Sequence, residues 1–248
     1  MRLRRWLPLG AAVLVAVGLA CWLSWQTRLQ VLRKGGKGPP TFVLLHGYGS
    51  AAEHWLPYAR TISFPPVGRF LFPQAPEMVA RTDGVLDGRA WWNLDLAAHR
   101  QPGRLGVDLT QEDPRGLERA AKLVRRAMAR EGNSKAHPFI LGGFSQGATV
   151  ACEVAFSSDE PLAALVILSG TPLDRAGWQS GMAKRKGLPI FMSHGRADNI
   201  LPFDLAERLH GELVAAGLAV TFFAFDSGHE IPEEVVTALG AFLARVGR

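Results

Sequence analysis

Residues 142–147 read GGFSQG, set directly after the apolar run HPFIL and directly before ATVACEVAF. The first run has the length of a buried strand, and the second continues as a helix with Ala151, Val154 and Ala155 on one face. A strand joined to a helix with almost no linker requires a sharp, crowded turn. Gly143 and Gly147 leave room for the two backbones to approach, while Ser145 at the apex is held out above the sheet edge. A strand–turn–helix of this form is a nucleophile elbow, and it commits the chain to an α/β architecture with a serine hydroxyl on display. A plain glycine loop is the bland alternative, and the rest of the chain decides between them.

From residue 41 onward, short apolar runs alternate with longer amphipathic ones. Strands are expected at 41–46, 69–72, 138–143, 162–170, 188–194 and 219–226, and helices near 51–61, 113–131, 146–157, 202–216 and 232–246. The strands are continuously apolar, which implies burial on both faces and hence a mainly parallel sheet flanked by helices on both faces. In the run GLERAAKLVRRAMAREG, Leu117, Ala120, Ala121, Val124 and Met128 recur at helical spacing, with the arginines on the opposite, solvated face. A chain of 248 residues holds one such domain, here 41–248, and 171–188 is too short for more than a minimal lid.

The net charge of +6 is misleading as a guide to partners. Residues 1–37 carry seven Lys and Arg and no acid, leaving 21 bases for the rest of the chain against 22 acids. The body is therefore nearly neutral, and a nucleic-acid partner is not expected. Cys21 and Cys152 lie in contexts that do not suggest pairing, and no metal-ligand spacing occurs, so neither a metal nor another cofactor is expected.

The basic N-terminal stretch has its own reading. Residues 6–27 are uncharged, and 22 residues make a helix of roughly 33 Å, against a hydrocarbon core of about 30 Å. Trp6, Trp22 and Trp25 suit the two membrane interfaces, and Arg2, Arg4 and Arg5 favour a cytoplasmic N-terminus. The expectation is one hydrophobic helix over 1–28, a linker over 29–40, and a membrane-anchored catalytic domain on the extracytoplasmic side. Small residues at Gly18 and Ala20 leave open a cleaved signal, which makes the protein secreted or periplasmic, and Cys21 leaves open a lipoprotein site.

In parallel sheets of this kind ligands sit at the carboxyl ends of the strands. The segments there are HGYGS, PQAP, FSQG, GTP, GRAD and SGHE. A serine hydroxyl needs a base to take its proton, and the base needs a carboxylate to orient it. His229 follows the last strand and is the expected base; His46, His54, His99, His137, His194 and His210 occupy positions that favour packing, loop-shaping or surface roles. Asp198, after the fifth expected strand, is the expected acid, with Asp174 as its rival. An oxyanion hole needs two main-chain N–H groups, which Tyr48 after the first strand and Gln146 after the serine are placed to supply.

The stretches LLHGYGS, FPQAP, RAWWNLD, LGGFSQGATVA, LSG, SHGRADNILP and GHEIP together resemble the phospholipase/carboxylesterase branch of the α/β-hydrolases, which includes acyl-protein thioesterases. The resemblance covers about residues 41–246. It implies an α/β-hydrolase fold, a Ser145–His229–Asp198 triad, oxyanion donors at Tyr48 and Gln146, and Trp91 lining the acyl or alcohol pocket, with core packing as the alternative for that tryptophan. It also implies a serine carboxylesterase acting on small-molecule esters through an acyl-enzyme. Acyl-protein thioesterase or lysophospholipase activity is the neighbouring alternative, and a non-catalytic binding protein the remote one. Ser50 stands where the family commonly has an acid. Oligomeric state, natural substrate and chain length are not written in these motifs.

Overall fold

The computed structural model describes residues 28–246, apart from 37, 63–67, 81–86 and 174–175. Its framework is a sheet of seven strands: β1 (Val31–Gly35), β2 (Thr41–Leu45), β3 (Arg69–Pro73), β6 (Phe139–Phe144), β7 (Leu162–Leu168), β8 (Pro189–Gly195) and β9 (Ala219–Phe225). Their spatial order is β1-β3-β2-β6-β7-β8-β9. All neighbours run parallel except β1, which lies antiparallel to β3. A separate antiparallel ribbon joins β4 (Glu77–Val79) and β5 (Gly88–Ala90).

The apolar runs form central strands because both of their faces are covered. In β2 every residue is buried. Val43 and Leu45 face a core shared with α2 (Pro114–Arg130), α3 (Gln146–Phe156), α4 (Ala176–Lys184) and α5 (Phe203–Ala215). Phe42 and Leu44 face the opposite core, closed by α1 (Trp55–Thr61) and α6 (Glu233–Val246). Successive side chains of a strand point to opposite faces, so a strand sandwiched between two helix layers must be apolar throughout. The expected mainly parallel, doubly covered sheet is what the chain forms. Helix α2 begins where Pro114 follows Asp113, whose carboxylate accepts from the Arg115 N–H at 3.0 Å as an N-cap. Its inward face is the expected one, with Leu117, Ala120, Ala121, Val124 and Met128 all buried.

One expectation about the N-terminal region changes, and another lies outside the described residues. Val31–Gly35 falls in the expected linker, yet it pairs with β3 along its whole length as an edge strand. Its charges concealed it: VLRKG carries two cations in five residues, a composition that protects a sheet edge from further pairing while resembling a solvated tether. Arg33 bonds Glu131 at the end of α2, and Leu29 is buried just before the strand. The expected hydrophobic span falls on residues 1–27, outside the described residues. Among the described residues no helix is long and apolar enough to cross a membrane.

Candidate active site

The turn between β6 and α3 is as crowded as its sequence demands. A Cβ on Gly143 would stand 2.3 Å from the Gly147 carbonyl carbon, and one on Gly147 would stand 2.3 Å from the Leu45 carbonyl oxygen. Ser145 itself adopts φ 56° and ψ −121°, a conformation that costs a residue with a Cβ about 1–3 kcal/mol. The backbone holds it there through the Ser145 N–H, which donates to the Leu168 carbonyl at 2.8 Å. The surrounding packing thus maintains a strained serine at the carboxyl edge of the sheet.

Three side chains from distant parts of the chain meet at this edge. Ser145 Oγ lies 2.8 Å from His229 Nε2, and His229 Nδ1 lies 2.7 Å from Asp198 Oδ2. The Asp198 side chain is fully buried. Burial alone pushes its carboxyl up, but hydrogen bonds from His194 and His229, the His229 charge and the Leu201 N–H outweigh that effect and hold it well below the usual carboxylate range. An ionised carboxylate on Nδ1 requires a proton there, which leaves Nε2 free to accept from the serine. The rival acid Asp174 lies outside the described residues.

The oxyanion candidates flank a close approach of the turn after β2 to Ser145, where a Cβ on Gly47 would stand 3.4 Å from Ser145 Cβ. Gln146 opens α3, where the first N–H groups have no intrahelical acceptor, and Tyr48 sits in the turn after β2. Among the described residues neither main-chain N–H has an acceptor, whereas the flanking Gly49 N–H donates to the Arg89 carbonyl and the Ser50 N–H to the Gly47 carbonyl. The Tyr48 hydroxyl reaches Asn93 Oδ1 at 3.3 Å.

Sequence reasoning did not reach the scaffold beneath these two residues. The Gln146 side chain is buried and clamps the neighbouring segment, its Oε1 accepting from the Trp91 N–H at 2.9 Å and its Nε2 donating to the Trp92 carbonyl at 2.8 Å. Trp91 packs as the core-packing alternative for it would have it. Fully buried, it donates from its indole N–H to the His46 carbonyl at 2.8 Å and tilts against the His46 ring, contacts that brace the turn after β2. The buried His46 Nε2 accepts from the Ala75 N–H at 3.1 Å, which leaves the proton on Nδ1, 2.8 Å from the Gly47 carbonyl. Burial pushes the His46 pKa down to about 4, so the ring stays neutral. PQAP and HGYG in the sequence marked these positions as strand ends without revealing that they bond one another.

A cavity of about 290 Å³ opens beside His229, the one of the three side chains that lines it. His46, Gly47, Phe144 and His229 form the side nearest Ser145; Trp55 and Tyr58 of α1 and Ile231 form an apolar wall; Ser50, His54 and Glu230 are its polar members. Ser50 Oγ and His54 Nδ1 bond each other at 2.8 Å. A larger polar cavity, about 610 Å³, lies at the other end of α3 against α2 and α4 and includes none of the three. Among the described residues no group of three or more His, Cys, Asp or Glu is arranged to hold a metal. Cys152 is buried, and burial pushes its thiol pKa up, so it is no nucleophile.

With the geometry in hand, comparison with known proteins gives a consistent result. A family profile described as Phospholipase/Carboxylesterase matches residues 26–246. Acyl-protein thioesterase 1 of Eremothecium gossypii is 28% identical over 194 residues, covering 76% of this chain and 78% of the relative. Acyl-protein thioesterase 1 of Mycosarcoma maydis is 25% identical over 233 residues, covering 86% and 94%. Among solved structures, that of esterase PE8 matches with a TM-score of 0.72 and 27% identity, covering 88% of this chain and 99% of the other. The Bacillus cereus carboxylesterase shares the fold, with a TM-score of 0.66 at 19% identity and coverage of 91% and 98%.

One expectation is overturned here. The membrane-anchored or secreted placement, and the membrane as a partner, are withdrawn. The finding that overturns them is that the relatives above are named acyl-protein thioesterases.

Proposed function

We propose that this chain, which belongs to the phospholipase/carboxylesterase family of ester-hydrolysing serine hydrolases, cleaves carboxylic esters through an acyl-enzyme formed on Ser145. The observation that carries the reading is the unbroken line of hydrogen bonds from Ser145 Oγ through His229 to the buried Asp198 carboxylate. In this mechanism Ser145 Oγ attacks the acyl carbonyl as His229 Nε2 takes its proton. Negative charge develops on the carbonyl oxygen, and the N–H groups of Tyr48 and Gln146 receive it. Collapse of the tetrahedral intermediate expels the alcohol, which leaves with the proton from Nε2. Water then attacks the acyl-enzyme with His229 again as base, the acid departs, and Ser145 is regenerated. Asp198 holds the imidazole in its working tautomer and stabilises the imidazolium. No step calls for a cofactor.

The names of the relatives favour thioesters as a second substrate class for the same residues. The chemistry differs only in the leaving group, since a thiolate needs less help from His229 than an alkoxide does.

The test is hydrolysis of p-nitrophenyl acetate and butyrate by the full-length chain beside Ser145→Ala, with acyl-matched thioesters in parallel. Ser145→Ala is expected to lose at least about 10³-fold in kcat and all labelling by a fluorophosphonate. Equal turnover by the two proteins removes Ser145 from the mechanism.

A further inference from the structure

A second histidine bears on the acid. His194, near the end of β8, is fully buried, with Nε2 2.8 Å from the Leu201 carbonyl oxygen and 3.2 Å from Asp198 Oδ2. Two oxygens facing one ring nitrogen would repel a bare lone pair, so that nitrogen carries a proton and shares it between them. Nδ1 has no hydrogen-bond partner among the described residues, and a second proton there would be a buried charge with no acceptor. The ring's donor is thus its Nε2–H, facing Leu201 and Asp198. Phe203 packs edge-on against the ring and fixes its plane. Including His194, the Asp198 carboxylate is fully engaged: the Ile200 and Leu201 N–H groups reach Oδ1 at 2.8 Å each, while His229 and His194 share Oδ2.

We infer that His194 is a positioning residue of the relay, holding the Asp198 carboxylate toward His229 and drawing negative charge away from Oδ2. The inference rests on the reading of Ser145, His229 and Asp198 as that relay. Its consequence has a definite sign. Without the His194 donor, more charge remains on Oδ2 and the His229 imidazolium is favoured, so His229 deprotonates at a higher pH. Other charged groups around the site are already engaged or stay in place across the variants. Arg196 pairs with Asp226 and lies over Phe203; Arg104 pairs with Asp108 and Asp204 beside the strand end; Glu230 lines the cavity next to His229.

The experiment uses the full-length chain as His194→Phe, His194→Gln and Asp198→Asn, with active sites counted by fluorophosphonate so that misfolded protein does not enter the rates. Phenylalanine keeps the ring and removes the N–H; the glutamine amide returns an N–H near the place of Nε2. His194→Phe is expected to lower kcat about 10- to 100-fold with KM changed less than about twofold. The acid limb of its pH profile should rise by roughly half to one pH unit. His194→Gln should recover most of both. If the phenylalanine variant does not fold, His194→Asn, whose shorter amide falls short of Oδ2, replaces it in the comparison with glutamine. Wild-type kcat and acid limb in His194→Phe overturn the inference, as do equal losses in Phe and Gln with an unmoved limb, the signature of packing alone. The relay reading has its own arm: wild-type activity in Asp198→Asn defeats the relay, whereas an inactive Asp198→Asn beside an unaffected His194→Phe defeats only the role of His194.

Discussion

His46 stabilises the domain through the charge it does not carry. Its ring accepts from the Ala75 N–H and donates to the Gly47 carbonyl, so a second proton would break the first of these bonds in a buried site. Burial holds its pKa down to about 4, against about 6.5 in an unfolded chain. Between those values the unfolded chain binds a proton that the folded chain refuses. The contribution is thus complete above about pH 6.5 and drains away as the pH falls toward 4. Lowering the pH from 7 to 5 is expected to cost the wild type about 2 kcal/mol more than it costs His46→Gln, as read by urea unfolding at the two pH values. Parallel pH slopes for the two proteins would show that His46 is not held neutral by the fold. Gln146 works at the same scale through two buried bonds to the peptide groups of Trp91 and Trp92. Gln146→Ala keeps the N–H assigned to the oxyanion but strands a buried donor and a buried acceptor. It is expected to lose about 2–4 kcal/mol of stability in the same assay. It should also lose kcat, because the freed Trp91 indole no longer fixes the His46 carbonyl. Unchanged stability would mean that the 91–92 segment finds other partners at no cost.

Elements were legible in the sequence to the degree that local chemistry wrote them. The elbow could be read because its glycines have one physical reason to exist, the approach of α3 to β2 and β6, and the structure shows that approach at Gly143 and Gly147. The five central strands could be read because burial on both faces leaves an unbroken apolar run. Of the two edge strands, β9 keeps the apolar run AVTFFAF although it is only partly buried, whereas β1 could not be read because VLRKG is dressed for solvent. Nor could the true place of Trp91. An indole bracing a loop and an indole lining a pocket look alike until the carbonyl that accepts its N–H is known. The hidden strand leads to a test at its own scale. A chain beginning at Arg28 keeps β1, whereas one beginning at Gly36 loses its pairing with β3, the buried Leu29 and the Arg33–Glu131 ion pair. At about 2–3 kcal/mol for a buried leucine with its strand contacts, the shorter chain is expected to melt roughly 4–10 °C lower. Equal melting temperatures would reduce β1 to a decoration on the sheet edge.

The molecule as a whole makes something that no single element contains, the cavity beside His229. Its walls come from the turn after β2, from Trp55 and Tyr58 one helical turn apart on α1, from Phe144 at the end of β6 and from Glu230 and Ile231 after β9. No motif announces a space assembled from stretches this far apart, which is why the sequence reached the reaction type but not the size of the substrate. At about 290 Å³ the cavity has space for roughly ten water-sized groups. It therefore takes a compact arm of the ester and leaves a long chain to solvent. In two homologous series, one lengthening the acyl chain and one the alcohol, kcat/KM is expected to rise about threefold to fourfold per methylene while the chain is being buried. In the series whose arm enters the cavity the rise should then stop. Tyr58→Ala removes a half-buried ring from the apolar wall, where it packs edge-on against Trp55. It is expected to move that break outward by a few carbons and raise the ratio of long-chain to short-chain kcat/KM by about tenfold, leaving the shortest esters nearly unaffected. A break that stays at the same carbon in both series, in a variant that folds and labels normally, would mean that this cavity is not where the substrate's chain goes.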